Sequence, residues 1–153
     1  MQHKILIVEE EGHIAERIKD VPSLRPYTML FASSPEQALT LLSKNKVDVI
    51  VSDEDLTAMS GLEFLAFARQ KCPDAIQMIL TGDTNFKTAM RAINDGKIYR
   101  LFSKPCNGVD MALTIHCVLH KKNYLKRIIK VCQKTEKDDQ NTSGIDQARS
   151  LVL

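Results

Sequence analysis

The sequence is poor in aromatic residues and contains no segment built for a membrane. It has no tryptophan, and phenylalanine and tyrosine together make up 5% of its 153 residues. No apolar run approaches the roughly 18 residues that a membrane-crossing helix needs. The start, MQHKILIVEE, lacks the charged segment, apolar stretch and small-residue cleavage site of a secretory signal. We therefore expect a cytoplasmic protein with no membrane partner.

Cysteine is also sparse, with four residues scattered along the chain. They form no CxxC pair and show no zinc-site spacing. We expect reduced thiols, because neither a disulfide framework nor a cysteine metal site is indicated.

The composition, 44% hydrophobic and 26% charged, is that of one globular domain with its own core. Residues 1–107 hold 13 basic against 14 acidic residues, whereas residues 108–153 hold 8 against 5. Six of those basic residues lie between Lys121 and Lys134 without an intervening acid. Such a run is typical of a solvated helix face. We do not expect nucleic-acid binding, since no base-reading motif accompanies it.

Strand-like and helix-like segments alternate along the chain, which predicts parallel strands joined by helical crossovers. β-branched and apolar residues predict strands at 4–8, 27–32, 47–52, 75–80 and 98–103. Helical spacing follows each strand, with Pro22 ending the first helix and Ser34-Pro35 opening the second. From about Asp110 a helical pattern continues past residue 130, longer than such a domain needs.

Polar residues follow four of the predicted strands. Ligands of parallel sheets bind beyond the carboxyl ends of the strands, so residues at those ends converge in space. Here they are Glu9-Glu10, Asp53, Thr81 and Lys104-Pro105. The sequence therefore predicts one pocket that combines carboxylates, a hydroxyl and an ammonium.

Such a pocket suits phosphate chemistry. Two unit charges about 4 Å apart repel by roughly 4 kcal/mol at an effective dielectric near 20, and a divalent cation relieves that repulsion. Ligands that are all oxygen favour Mg²⁺ or Ca²⁺ over zinc. The ammonium of Lys104 and the hydroxyl of Thr81 could hold phosphoryl oxygens. Asp53 is then a candidate nucleophile that would form an acyl phosphate.

Residues 4 to about 121 resemble the receiver domain of two-component response regulators. The resemblance rests on KILIVEEE, VDVIVSDEDLTAMSGLEFL, MILTGD and IYRLFSKP, in order and spacing. It implies Asp53 as the phosphate acceptor, Glu9 and Glu10 as the acidic metal-binding pair, the Asp55 carbonyl as a further metal ligand, Thr81 as the switch hydroxyl, Lys104 as the phosphate contact, and a cis peptide bond before Pro105.

The resemblance also implies the fold and the activity. The fold would be a flavodoxin-like (CheY-like), doubly wound α/β domain over residues 1–121, with five strands in the order 2-1-3-4-5. Residues 122–153 would form a helical extension and a loose tail. The domain would accept a phosphoryl group from a histidine kinase or phosphotransfer protein with Mg²⁺, switch the face of its fourth helix and fifth strand, and catalyse nothing beyond its own phosphorylation and dephosphorylation.

Partners beyond the kinase would be an effector domain or a second copy of the chain. The string ILTGDTNFKTAMRAINDGKIYRLFSKP is similar to receivers that often precede cyclic-di-nucleotide phosphodiesterase or other output domains. Asp55 and Asp83 occupy positions that flank the attacking water in this family, and we expect them to tune dephosphorylation.

Several residues depart from the family pattern. Glu10 stands where the family usually has Asp, Leu56-Thr57 where Met-Pro is common, and Leu101 where Tyr or Phe usually moves with the switch hydroxyl. The departures at Glu10 and Leu101 motivate one alternative, a receiver that binds a protein partner without phosphorylation.

A second alternative is an aspartyl-phosphate hydrolase. The segment Asp53-x-Asp55-x-Thr57 resembles the DxDxT nucleophile motif of haloacid-dehalogenase-like phosphatases. The order of the motifs argues against that family, whose nucleophile strand comes early and whose metal acids come late.

Overall fold

The protein is built from strands and helices that alternate in sequence. The computed structural model describes residues 2–82 and 86–141, and the chain divides between His116 and Cys117 into two compact units. The strands are β1 Lys4–Val8, β2 Thr28–Ala32, β3 Val49–Asp53, β4 Ile76–Thr81 and β5 Arg100–Ser103. The helices are α1 His13–Ile18, α2 Pro35–Lys44, α3 Gly61–Lys71, α4 Phe86–Asn94 and α5 Gly108–Asn141, with a 3₁₀ turn at Pro22–Leu24.

The five strands form one parallel sheet in the order β2-β1-β3-β4-β5. This order confirms the predicted flavodoxin-like architecture. The strand order reverses between β1 and β3, and parallel sheets of this kind bind ligands beyond the carboxyl ends at that point.

The middle strand of the sheet, β3, is covered by the core of the first unit on both faces. All five of its residues are buried. Ile50 belongs to a buried cluster with Phe64 and Leu65 of α3 and Leu42 of α2. Neighbouring strand residues point to the other face, where Ile14 of α1 and Met111 of α5 are fully or almost fully buried.

Helix ends follow local chemistry, with one difference from the prediction. Ser34 caps α2 by accepting a hydrogen bond from the Gln37 amide, as its sequence indicates. The first helix was predicted to run up to Pro22, and that boundary was wrong: α1 ends at Ile18. Pro22 instead begins the 3₁₀ turn, where its missing N–H costs nothing.

The last helix, α5, is 34 residues long and begins two residues before the predicted start. Its part up to His116 belongs to the first unit, and its part from Cys117 belongs to the second. The loose tail was predicted to begin at Glu136, and that boundary was wrong, because α5 continues to Asn141. The rest of the predicted tail lies outside the described residues. Among the helices that the structure describes, none is both long and apolar enough to pass through a bilayer.

Candidate phosphoacceptor site

The carboxyl ends of β3, β4 and β5 are tied together by main-chain hydrogen bonds. Asp53 is in register with Leu80, and the Glu54 amide donates to the Leu80 carbonyl at 2.8 Å. The Lys104 amide donates to the Thr81 carbonyl at 2.9 Å. Three sequence-distant segments therefore meet at one edge of the sheet.

Asp53 lies at the centre of this edge. It is 8% exposed, and its Oδ1 atom is 2.7 Å from Lys104 Nζ. The Asp55 amide donates to the same oxygen at 2.9 Å. No hydrogen bond from the described residues reaches Asp53 Oδ2, so that oxygen is the one left for a ligand.

Lys104 bridges two carboxylates. Its Nζ atom donates to Asp55 Oδ2 at 3.2 Å besides its contact with Asp53. Burial of Lys104 opposes its charged form, but the hydrogen bonds and charges of Asp53 and Asp55 outweigh burial and raise the pKa of the ammonium. Lys104 is therefore a fixed positive charge beside the acceptor at neutral pH.

A buried acid and a glycine hold the acceptor strand against α3. Glu54 is 6% exposed, and its Oε2 atom accepts a hydrogen bond from the Leu62 amide at 3.0 Å. Burial raises the pKa of the Glu54 carboxyl. A Cβ on Gly61 would lie 2.2 Å from the Asp53 carbonyl oxygen, so only glycine allows the helix to begin this close to the strand.

The two N-terminal acids are both bound to main-chain amides. Glu9 Oε1 accepts from the Ile14 amide at 2.8 Å, at the start of α1. Glu10 Oε1 accepts from the Thr57 amide, and Glu10 Oε2 accepts from Thr57 Oγ1 at 2.8 Å. Glu10 therefore lies against the loop that follows β3.

The remaining predicted residues lie nearby but make different contacts. Thr81 is 1% exposed, and its hydroxyl donates to the Gly82 carbonyl at 3.0 Å. Within the described residues, no hydrogen bond joins Thr81 Oγ1 to Asp53 or Lys104. The peptide bond between Lys104 and Pro105 is cis. Asp83 lies outside the described residues.

A cleft of about 360 Å³ opens at the carboxyl end of β3, between the segments that follow β1 and β5. Asp53, Lys104 and Pro105 line it together with Glu9, Glu11 and residues of α1. Arg17 also lines it and donates to the Cys106 carbonyl at 2.6 Å. The cleft is large enough for a phosphoryl group and its cation.

The carboxylates of Glu9, Glu11 and Asp53 line this cleft and offer oxygen ligands, which suit Mg²⁺. No group of three or more His, Cys, Asp and Glu side chains is gathered for a metal within residues 2–82 and 86–141. Mg²⁺ commonly keeps several waters and takes only one or two carboxylates. Asp53 and Glu9, which line the same cleft, could supply two carboxylate ligands. Glu10 does not line this cleft, and its carboxylate is hydrogen-bonded to Thr57.

Sequence reasoning missed three residues of this site, Arg17, Glu54 and Gly61, and it did not predict the contact of Thr57 with Glu10. Glu54 follows the acceptor directly and Gly61 precedes a helix, but neither pattern distinguishes a buried residue from an exposed one. The contact between Thr57 and Glu10 spans 47 residues, and no local pattern could reveal it.

A sequence model of the response regulator receiver domain matches residues 5–116. The chain belongs to the response regulator receiver family. A solved receiver, the signal receiver domain of an HD domain-containing protein from Pseudomonas fluorescens Pf-5, superposes with a TM-score of 0.71 at 35% identity, covering 81% of this chain and 99% of that one. A receiver domain protein from Clostridium thermocellum gives a TM-score of 0.69 at 26% identity, over 80% of this chain and 98% of that one.

Two curated relatives of this receiver are named as transcriptional regulatory proteins. The transcriptional regulatory protein YvrH of Bacillus subtilis is 33% identical over 121 residues, which are 78% of this chain and 50% of that protein. The hydrogenase transcriptional regulatory protein HoxA of Cupriavidus necator is 26% identical over 104 residues, 68% of this chain and 21% of HoxA. The receiver therefore spans half or less of the length of these two regulators.

Proposed function

We propose that this receiver accepts a phosphoryl group on Asp53 from a histidine kinase or phosphotransfer protein. The observation that carries the proposal is the buried Asp53 carboxylate, 2.7 Å from the Lys104 ammonium at the mouth of an acid-lined cleft. A buried acid beside a fixed cation is suited to taking up a dianionic group.

The transfer follows from the two oxygens of Asp53. Oδ1 is held by Lys104 and the Asp55 amide, which leaves Oδ2 to attack phosphorus. The new bond is Oδ2–P, the phosphohistidine N–P bond breaks, and the histidine nitrogen keeps the electron pair of that bond. Lys104 can then exchange its carboxylate contacts for an oxygen of the phosphoryl group.

A divalent cation would complete the charge balance. The residues that would hold Mg²⁺ are Glu9, Glu10, the Asp53 carboxylate and the Asp55 main-chain carbonyl. When bound, the cation would neutralise the acids and the incoming phosphoryl oxygens. Thr81 would supply the switch hydroxyl, and Asp55 and Asp83 would set the lifetime of the acyl phosphate.

The helix of the second unit is our proposed partner-binding element. Its apolar residues Tyr124, Leu125, Ile128 and Ile129 are 41–61% exposed and share one face by their spacing. We propose that this face pairs with a second copy of the chain or with an effector domain.

Light scattering of wild type and Ile128→Ser over rising concentration tests self-association, and a monomer at all concentrations would contradict pairing between copies.

The phosphoacceptor proposal is tested by the intact mass of the protein with acetyl phosphate and Mg²⁺. We expect a gain of one phosphoryl group in wild type and none without Mg²⁺. Asp53→Asn should show no gain, while Asp20→Asn, at an exposed position, should behave as wild type.

The same measurement separates the two alternatives. An unchanged mass in wild type, together with partner binding that survives Asp53→Ala, would favour a phosphorylation-independent binding module. Steady multiple turnover of a phosphate ester would favour the hydrolase reading of Asp53, Asp55 and Thr57.

A further inference from the structure

Glu10 and Thr57 form a two-point contact that ties the loop after β1 to the loop after β3. The Thr57 amide donates to Glu10 Oε1, and the Thr57 hydroxyl donates to Glu10 Oε2 at 2.8 Å. Both carboxylate oxygens therefore already have a donor. These hydrogen bonds favour the charged carboxylate and lower the pKa of Glu10.

The contact depends on both side chains being the ones found here. Proline at position 57 would have neither an N–H nor a hydroxyl, so neither hydrogen bond could form. An aspartate at position 10 is one methylene shorter and would fall short by more than about 1 Å, one carbon–carbon bond being roughly 1.5 Å. Two positions at which the chain departs from the family pattern are thus in direct contact.

The same carboxylate is one that we assign to the cation. A carboxylate that accepts hydrogen bonds through both oxygens must release or share at least one of them before it can bind a cation or a cation-bound water. Thr57 lies four residues after Asp53, in the loop whose Asp55 carbonyl we also assign to the cation. The competition therefore takes place at the site itself.

We propose that Thr57 is a positioning residue that holds Glu10 away from the cation site, so that Thr57 and the divalent cation compete for the Glu10 carboxylate. This inference rests on the proposed function, because it concerns the same cation. Cation binding would release Thr57 and loosen the loop after β3, and that loop leads directly from the acceptor into α3.

The first test is cation affinity, measured by the electron paramagnetic resonance signal of free Mn²⁺ without any phosphoryl donor. Thr57→Val keeps the shape of the side chain and removes the hydroxyl donor. We expect Thr57→Val to bind Mn²⁺ roughly threefold to tenfold more tightly than wild type. The gain should lie near the lower end of this range, because the contact is solvent-exposed. Thr40→Val is the matched control, since its hydroxyl donates to the Glu36 carbonyl within α2, and its affinity should equal that of wild type.

Glu10→Gln tests the other partner. Glutamine can still accept a hydrogen bond from Thr57 but loses the negative charge, so its affinity for Mn²⁺ should fall below wild type. Adding Thr57→Val to Glu10→Gln should then restore less affinity than it adds to wild type, because the competing carboxylate is gone.

The second test reads the Thr57 amide directly by ¹H–¹⁵N NMR in the cation-free protein. We expect that amide to exchange more slowly than other exposed loop amides in wild type. Its resonance should shift, and its protection should fall, as Mg²⁺ is added.

Each result decides between the inference and the proposed function. If wild type binds Mn²⁺ and gains a phosphoryl group but Thr57→Val binds no more tightly, the competition is refuted and the phosphoacceptor role stands. If neither wild type nor Thr57→Val binds a divalent cation, both are refuted. An unprotected Thr57 amide in the cation-free protein would also overturn the competition.

Discussion

In the first unit, polar groups are arranged differently at the two ends of the parallel strands. We call the end where the strands begin the amino edge of the sheet and the end where they finish the carboxyl edge. At the amino edge, His3 Nδ1 contacts Asp48 Oδ2 at 3.2 Å, and the Lys4 amide donates to the same oxygen at 3.0 Å. At the carboxyl edge, Asp53 and Asp55 share the ammonium of Lys104. One carboxylate therefore has two partners at the amino edge, whereas two carboxylates share one ammonium at the carboxyl edge.

The carboxylates that line the cleft at the carboxyl edge outnumber its lysine and arginine side chains. The carboxylates are those of Glu9, Glu11 and Asp53, whereas Arg17 and Lys104 supply the cations. Like charges gathered at one place lower the stability of the folded state. We therefore expect substitutions at the amino edge to lower the stability of the domain and removal of a carboxylate at the carboxyl edge to raise it.

The largest effect should come from Gly61→Ala, because this substitution disturbs the packing of α3 against the end of β3 at Asp53. The added Cβ would lie 2.2 Å from the Asp53 carbonyl oxygen and 2.8 Å from Glu54 Cα, so the strand or the helix must move. We expect a loss of about 2–3 kcal/mol in the free energy of unfolding. Urea unfolding followed by circular dichroism measures it.

Gly82→Ala is the control for that substitution. Among the described residues other than its chain neighbours, no atom lies within 4 Å of a Cβ built on Gly82. A loss as large in Gly82→Ala as in Gly61→Ala would show that close approach to Asp53 is not the cause.

The next effect should come from Asp48→Ala at the amino edge. The substitution leaves the Lys4 amide without its carboxylate acceptor and His3 without its acidic partner. We expect the free energy of unfolding to fall by about 1–3 kcal/mol, the usual cost of an unsatisfied, partly buried donor. Asp20→Ala, at an exposed position, should stay within about 0.5 kcal/mol of wild type. Equal effects at the two positions would break the contrast between the edges.

Tyr27→Phe should have a smaller effect at the same edge. The Tyr27 hydroxyl lies 2.9 Å from His116 Nδ1, and its removal should cost about 0.5–1.5 kcal/mol. Tyr99→Phe is the matched control, since Tyr99 is 53% exposed. Thermal unfolding of both variants gives the difference.

The smallest effect, and the only gain, should come from Glu54→Gln at the carboxyl edge. Glutamine keeps an acceptor for the Leu62 amide and removes a buried charge beside Asp53 and Asp55. We expect a gain of about 0.5–1 kcal/mol at pH 7.

The pH dependence of that gain follows from the raised pKa of Glu54. Because the folded-state pKa lies above the unfolded one, the folded protein holds the proton more tightly, and wild type loses stability as pH rises through the folded-state pKa. The advantage of Glu54→Gln should therefore shrink as pH is lowered through that pKa. A pH-independent difference would mean that the charge of Glu54 is not the cause.

Much of this protein could be predicted from local patterns. The strand order was predicted through the receiver resemblance, and the alternation of β-branched and helical segments supports it, because each strand of a parallel sheet needs a crossover before the next. The first helix was the exception: Ile14, Ile18 and Val21 have helical spacing, yet α1 ends at Ile18 because spacing alone does not say where burial stops.

The sequence predicted which residues lie at the site better than it predicted the contacts that their side chains make. Asp53 and Lys104 meet because both follow parallel strands, and strand ends are visible in the sequence. Glu10 also follows a strand, but its longer side chain reaches Thr57. Whether it points toward the cleft or toward the loop depends on atoms that are 47 residues away along the chain.

The sequence by itself determined the order of strands and helices and the set of polar residues at the strand ends, since both follow from periodicity and from the direction of parallel strands. Tertiary structure decided which carboxylates are buried, as Glu54 is, and which accept hydrogen bonds from main-chain amides, as Glu9 and Glu10 do. Burial and hydrogen-bond partners depend on distances between loops that are remote in sequence, and only the packed sheet and its helices set those distances.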